Sequence, residues 1–432
     1  MRPHHHRRRR LGLLLAAVTA LAVAGCSVES GGDAATPSSS PSLLPAPLAP
    51  AISPGVTADT IKLGLVYPDL SKVKQFVHID HGDYKAAFQA LVDKINKGGG
   101  INGRKIVPVY GAVDVLSPTG AQDTCVHLIE DEKVFAVVGN LNTNEPMCYV
   151  QTHKTALVGG SLTTESYAKA QAPWFSDLRG GDEVGDGLKL FRGDLVGRKV
   201  AVVTYVGDKA VLDDTVLPGL RSMGVTPVQS GVLDAPLTDP AAVAQQTGVF
   251  VQKFQSAGVD TVLVVGGIST QFPAQLEKTD YRPRLLFTDV SQARAYSFDA
   301  GAHDFSTLRG AVALGLGTDF AEPANQECVH TVEAAVPGLK IVDPDTVPPG
   351  EPAPGVSVSV ACRYLALFTA IADKAGRDLT YQSFQRAGFA LGSFQIPFYT
   401  DRATYSQNTP HGAIPDRRFE YDPAKKNFAL VR

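Results

Sequence analysis

From Ile61 to Ala375 short apolar runs alternate with amphipathic ones, and that alternation restricts the chain to a parallel sheet with crossover helices. Ile61-Lys62-Leu63-Gly64-Leu65-Val66-Tyr67 reads as a buried strand. Tyr84, Ala87, Phe88, Leu91, Val92 and Ile95 follow at spacings of three and four, which predicts an amphipathic helix ended by Gly98-Gly99-Gly100. Ile106 to Tyr110 returns as an edge-type strand, because Pro108 has no N–H for the ladder. Ser117-Pro118 predicts a helix start, Val134 to Gly139 a third strand and Ala156 to Gly159 a fourth. A second series follows Pro173-Trp174-Phe175, with strands predicted at Lys199–Tyr205, Val225–Val228, Thr261–Val265, Leu285–Thr288 and Ala311–Leu316. Its helices are predicted from Ala210 to Met223, from Pro240 to Ala257 and from Val358 to Ala375. The fold class is therefore α/β with doubly wound sheets, and the length suits two domains.

The first residues read as an export leader. Arg7-Arg8-Arg9-Arg10 precedes the apolar run Leu11 to Ala24, which is shorter than the roughly 20 residues that span a bilayer. Val23-Ala24-Gly25-Cys26 resembles the lipobox of bacterial lipoproteins, whose cysteine is acylated after cleavage. Residues 1–25 are thus expected to be a signal peptide, with lipidation at Cys26. Residues 26–56, rich in Ser, Pro, Ala and Thr, bury too little apolar surface to order and form a tether. No second apolar run is expected to span, so the lipid is the sole expected membrane attachment, on the extracytoplasmic face. Removing five leader arginines leaves 35 basic against 43 acidic residues, a formal charge of −8. That charge carries no electrostatic footprint for nucleic acid.

Cys125, Cys148, Cys328 and Cys362 remain beside Cys26. Four cysteines permit three pairings, and sequence order favours Cys125–Cys148 and Cys328–Cys362. In a 2-1-3-4-5 sheet the second and third helices lie side by side on one face, so the first pairing is geometrically reasonable. With no C-x-x-C, no H-E-x-x-H and no metal-ligand spacing among the histidines beyond His78 and His81, a pair that reads as a solvated loop before a helix, no metal and no cofactor are expected. There is no G-x-S-x-G, and Gly98 to Lys105 leads from a helix into a strand, the reverse of a phosphate cradle. No catalytic residues are assigned.

Loops rich in amide and hydroxyl groups follow two strands: Asn140-Leu141-Asn142-Thr143-Asn144 and Gly160-Ser161-Leu162-Thr163-Thr164. Open α/β sheets bind ligands at such strand ends, and these groups suit a carboxylate or other polar anion. The same residues also suit N-caps and turns.

The segments Ile61-Lys62-Leu63-Gly64, Gly99-Gly100-Ile101-Asn102-Gly103-Arg104, Val137-Val138-Gly139, the two loops, His411-Gly412 and Phe419-Glu420-Tyr421-Asp422 occur in an order that resembles the type I periplasmic-binding-fold solute receptors of the branched-chain amino acid group. The resemblance implies two lobes joined by a three-strand hinge. They are expected at 57–175 with about 300–390, and at about 176–299 with about 391–432. It implies ligand contacts at Tyr67, Leu141, Asn142, Thr143, Ser161, Leu162, Thr163, Tyr205 and Asp289, with Asp289 near the acid that takes an ammonium group. The aromatic residues usual after two second-lobe strands are missing at Val206 to Ala210 and at Val265-Gly266-Gly267. The implied role is a monomeric, non-enzymatic receptor that captures a small polar ligand, an amino acid or related amide or carboxylate, for an ABC permease. A ligand sensor reporting to a membrane kinase or regulator is the alternative.

Replacing Cys26 by Ser is expected to release the protein from membranes while leaving it folded. A variant that stays in the membrane fraction after a salt wash contradicts the lipobox reading.

Overall fold

The computed structural model describes residues 53–75, 80–141, 144–177, 183–297, 303–347 and 351–431. The leader, Cys26 and nearly all of the tether lie outside them.

Two separate sheets carry the fold. The first contains β1 (Thr60–Asp69), β2 (Lys105–Asp114), β3 (Ala136–Gly139), β4 (Ala156–Gly159) and β5 (Trp174–Phe175), all parallel, in the order β2-β1-β3-β4-β5. The second contains β6 (Val200–Tyr205), β7 (Gln229–Leu233), β8 (Thr261–Val265), β9 (Arg284–Phe287) and β10 (Val312–Leu316). These five repeat the same parallel pattern as β7-β6-β8-β9-β10. A short pair, β11 (Gly392–Phe394) and β12 (Ala403–Tyr405), comes next. Then β13 (Asp416–Asp422) and β14 (Asn427–Leu430) extend the second sheet antiparallel beyond β10.

Strand period fixes which side chains meet which core. Ala136 and Val138 enter one cluster while Val137 enters the cluster on the opposite face, and Ala156, Val158 and Leu157 divide in the same way. In the second sheet Val262 and Val264 face one core, Leu263 and Val265 the other. Both sheets are therefore covered on both sides, as parallel sheets require.

The helix Gly355–Ala375 is the central member of the first core. By length and composition alone it would pass for a membrane span, contrary to the expectation that no second run reaches that length. Most of it is buried against protein, with Leu365, Leu367, Phe368 and Ile371 packed in the core, which accounts for its apolar sequence. Cys328–Cys362 ties it to the helix Pro323–Ala335, and Cys125–Cys148 ties the helix Gly120–Val126 to the turn after Glu145–Met147. Both pairings are those expected, with Cα–Cα distances of 6.4 Å.

Several boundaries differ from expectation. The strand expected at Val225–Val228 lies at Gln229–Leu233, since Pro227 cannot donate to the ladder. The helix expected from Ala210 to Met223 runs without a break from Lys209 to Ser222, widened to π geometry over Leu212–Val216. The helix expected at Ser117-Pro118 starts at Gly120. The chain also leaves the second sheet later than the expected boundary near 300, because β10 pairs with β9. Ile396, Phe398, Ala403 and Tyr405, expected in the second lobe, pack in the first core. The chain thus passes between sheets after β5, after β10 and after β12.

Removing Cys328–Cys362 by Ser replacement is expected to lower stability by roughly 3 kcal/mol through loop entropy. Denaturant unfolding checks this, and a loss near zero would mean that the bridge adds no constraint on the unfolded chain.

Candidate ligand-binding site

Glycines set the strand ends from which the first-sheet loops depart. Gly139 has φ 147° and Gly159 φ 122°, and a Cβ on either would lie about 2 Å from the carbonyl oxygen of Val66 or Gly139. The loop after β4 is then fixed from beneath. The Trp174 indole N–H donates to the Gly159 carbonyl at 2.8 Å, and the Ser176 hydroxyl donates to the Gly160 carbonyl.

Thr163 caps the helix Thr164–Lys169. Its Oγ1 accepts the Ser166 N–H at 3.1 Å, and the Ser166 Oγ accepts the Thr163 N–H at 3.2 Å, a reciprocal capping box. Leu141 and Leu162 are buried in the core beneath the loops, so their side chains serve packing. Ser161 is half-buried. Tyr67 stacks on Tyr84 at 5.7 Å, and burial, then Asp83 and Asp69, push its hydroxyl above the usual range. Asn142 and Thr143 lie outside the described residues.

A cavity of about 680 Å³ opens where the second-sheet strand ends meet the first core. Every parallel strand of the second sheet except β7 contributes at or beyond its C-terminal end: Asp208 after β6, Val265 and Gly266 at β8, Thr288 and Asp289 after β9, and Leu314 to Leu316 at β10. Gly315 is needed there because a Cβ would lie 2.4 Å from the Val290 Cγ1. The opposing wall is the N-terminal part of the helix Gly355–Ala375, through Val356, Ser359 and Arg363, with Phe398 and Tyr399 beside it. That helix end is docked on the turn before the first helix, where the Ser357 N–H donates to the His81 carbonyl at 3.1 Å.

Arg363 is the central charged group of this wall. Its Nη1 donates to the Asp177 Oδ2 at 2.6 Å and also to the Tyr399 hydroxyl, which itself donates to the same carboxylate oxygen at 3.0 Å. Asp177 is 1% exposed and Arg363 15%, so the pair is held in a poorly solvated place. Burial alone would lower the guanidinium pKa, but Asp177, Tyr399 and Tyr364 outweigh it and hold it above its ordinary value. Because Asp177 lies just after β5 and Thr318 bridges to Tyr399, the network joins two of the passages between sheets to the cavity wall.

Across the cavity, the Arg294 Nη1 pairs with the Asp345 Oδ2 at 2.8 Å, and the Thr318 hydroxyl donates to the same oxygen at 2.8 Å. The Asp289 Oδ1 accepts the Ser291 N–H at 2.8 Å and its hydroxyl at 2.6 Å at the start of the helix Val290–Ser297. The Asp208 Oδ2 accepts the Gly267 N–H at 2.7 Å. Burial, with Asp345 beside it, pushes the Asp343 carboxyl up.

Of the residues expected to contact ligand, Asp289 lines this cavity. Tyr67, Leu141, Ser161, Leu162, Thr163 and Tyr205 do not: Leu141 and Leu162 pack in the core, Thr163 caps its helix, and the long helix supplies the opposing wall. Arg363, Arg294, Asp343, Asp345 and Asp208 were missed. The signal for Arg363 was present: a single charge between Val356 and Ile371 in an otherwise apolar helix marks a buried, paired cation. The described residues contain one set of metal-type side chains, Cys125, Cys148 and His153, and its two sulfurs are already joined to each other.

The model of a family described as periplasmic binding protein matches residues 60–347. Among solved structures, the chain is similar to an ABC transporter substrate-binding protein from Desulfitobacterium hafniense in complex with Leu. The identity is 13%, 86% of this chain and 100% of that one are covered, and the TM-score is 0.61. It is also similar to a fatty acid ABC transporter substrate-binding protein from Thermomonospora curvata, at 16% identity, covering 88% and 93%, with a TM-score of 0.60. A branched-chain amino acid transporter substrate-binding protein from Streptococcus pneumoniae, in complex with isoleucine, is 16% identical over 86% and 99%, with a TM-score of 0.57. No curated protein sequence matches the chain.

Asp177→Asn removes the charge that compensates Arg363 and is expected to cost roughly 3–5 kcal/mol in urea unfolding. Replacing both partners, Asp177→Leu with Arg363→Met, is expected to cost less than the single change. A single variant within about 1 kcal/mol of wild type would mean that the pair behaves as an exposed one.

Proposed function

The chain belongs to the periplasmic binding protein family, and from that premise we propose that it is an extracytoplasmic solute receptor. In this reading it traps one small polar ligand in the cavity between the second-sheet strand ends and the long helix, then delivers it to the permease of an ABC importer. Members of this family are non-enzymatic receptors, so the work of the site is binding and release, with no bond made or broken.

The observation that carries the reading is the cavity itself. Its volume of about 680 Å³ falls in the range that takes a small-molecule ligand, and its walls come from both cores. Movement of the two sheets about the three passages between them would then close the walls on a ligand. Asp289, half-buried and on the wall, is the group proposed to receive an ammonium end. Thr143 and Thr163 are proposed as hydroxyl contacts from the first sheet, reached when the sheets close. Lipidation at Cys26 would keep the receptor beside its permease, since two or more acyl chains anchor stably where one does not.

A thermal-shift screen of amino acids, amides, amines and aromatic acids identifies the ligand, and calorimetry on variants tests the site. Asp289→Asn and Thr143→Ala are each expected to weaken binding roughly ten- to a hundredfold, the loss of one hydrogen bond to a charged group. Thr163→Ala is expected to weaken binding and also to lower stability by about 1 kcal/mol through the lost cap. Unchanged affinity in all three would place the ligand elsewhere.

A further inference from the structure

Resting on the receptor reading above, we propose that the cavity is built for an organic cation: an amine or quaternary ammonium on an apolar body, without a free carboxylate. Five aspartates line it, Asp208, Asp289, Asp343, Asp345 and Asp416, against two arginines.

Both arginines are already paired with a protein carboxylate, while the Arg294 Nε is buried with no acceptor among the described residues. Arg294 is paired with Asp345 and donates to the Phe428 carbonyl at 3.2 Å. Arg363 is paired with Asp177 and bonded to Tyr399. A ligand carboxylate would therefore have to compete with a protein carboxylate for either guanidinium.

Two of the acids, by contrast, have no cationic partner among the described residues. Asp208 accepts from the Gly267 N–H, and Asp289 from the Ser291 N–H and hydroxyl. Those donors are neutral, so the negative charge of each carboxylate persists in a partly desolvated space. A ligand cation would offset it and an anion would add to it. At Asp343 burial, then Asp345, push the carboxyl up and outweigh the opposing charge of Arg294, so negative charge dominates this side of the cavity.

The remaining wall points the same way from a different kind of group. Val265, Val290, Leu314 and Val356 supply apolar surface, and Phe320 stacked on Phe398 at 5.5 Å, with Tyr399 beside them, supplies aromatic rings. Rings beside carboxylates recognise alkylammonium groups through cation–π attraction and charge, while the apolar wall takes the body. The hydroxyl loop at Ser161 and Thr163, the natural place for a carboxylate, is not part of this wall.

Four probes with one phenyl body and different charges test the proposal by calorimetry on the full chain: phenethylamine, benzyltrimethylammonium, 3-phenylpropionate and phenylalanine. The two cations are expected to bind, the anion and the zwitterion to bind at least about tenfold more weakly. Asp208→Asn is expected to reduce cation affinity roughly tenfold with its thermal midpoint unchanged. Val356→Trp, which fills the cavity, is expected to abolish binding while the circular dichroism spectrum stays native. If neither cation binds, the ligand class is wrong. If the anion or the zwitterion binds more tightly and Val356→Trp abolishes that binding, the class is wrong and the receptor reading stands. If a probe binds equally to the Val356→Trp variant, the cavity is not the site and both readings fall.

Discussion

The buried pair between Arg363 and Asp177 is the contact on which the arrangement of the two sheets depends. Asp177 follows the last strand of the first sheet, and Arg363 sits in the helix that forms the middle of the first core. Tyr399 closes the network from a segment bridged to Thr318, just beyond the last parallel strand of the second sheet. A charge in such a helix is costly unless its partner is placed accurately, so the pair fixes how the first two passages between sheets leave the first core. Hydrogen bonds from Tyr405 and Ser176 extend the anchoring: the Tyr405 hydroxyl donates to the Ser176 carbonyl at 3.0 Å, and the Ser176 N–H to the Pro410 carbonyl at 3.1 Å. The third passage, after Tyr405, is thereby held to the first.

The cavity follows from this anchoring. Repeating one strand order in both sheets puts the C-terminal strand ends where ligands bind in open α/β folds. In the second sheet those ends carry Asp208, Gly266, Asp289 and Gly315 on the cavity wall. In the first sheet the loop after β4 is pinned by glycine geometry, the Trp174 indole and the Thr163 capping box. The wall opposite the second sheet is therefore a helix face carrying a committed guanidinium, which shapes the charge a ligand meets. The same guanidinium joins the cavity wall to two of the passages between the sheets.

Much of the architecture was legible in the sequence because it rests on local period and on chain order. Val137 and Leu157, alternating with Ala136, Val138, Ala156 and Val158, mark strands buried on both faces. The disulfide between Cys125 and Cys148 follows from the order of strands. What was not legible depends on contacts far apart in sequence. Phe398 and Tyr399 read as the start of the second lobe, yet they pack in the first core. Thr163 reads as a ligand hydroxyl or as a cap, and its bonds to Ser166 make it a cap in this structure. Asp343 and Asp345 lie in a proline-rich stretch with no periodic signal, and only the fold brings them to Arg294. Gly355–Ala375 is the instructive case. Its apolarity belongs to a core helix, and the one arginine within it marked the site more sharply than the hydroxyl loops did.

The most direct test of a ligand cavity shared by two cores is amide hydrogen exchange on the protein with and without the tightest compound from the binding screen. The account predicts slowed exchange in three stretches together: 288–294 and 314–320 of the second sheet, and 356–363 of the long helix. Slowing confined to one of these walls, or centred on another part of the molecule, would contradict it.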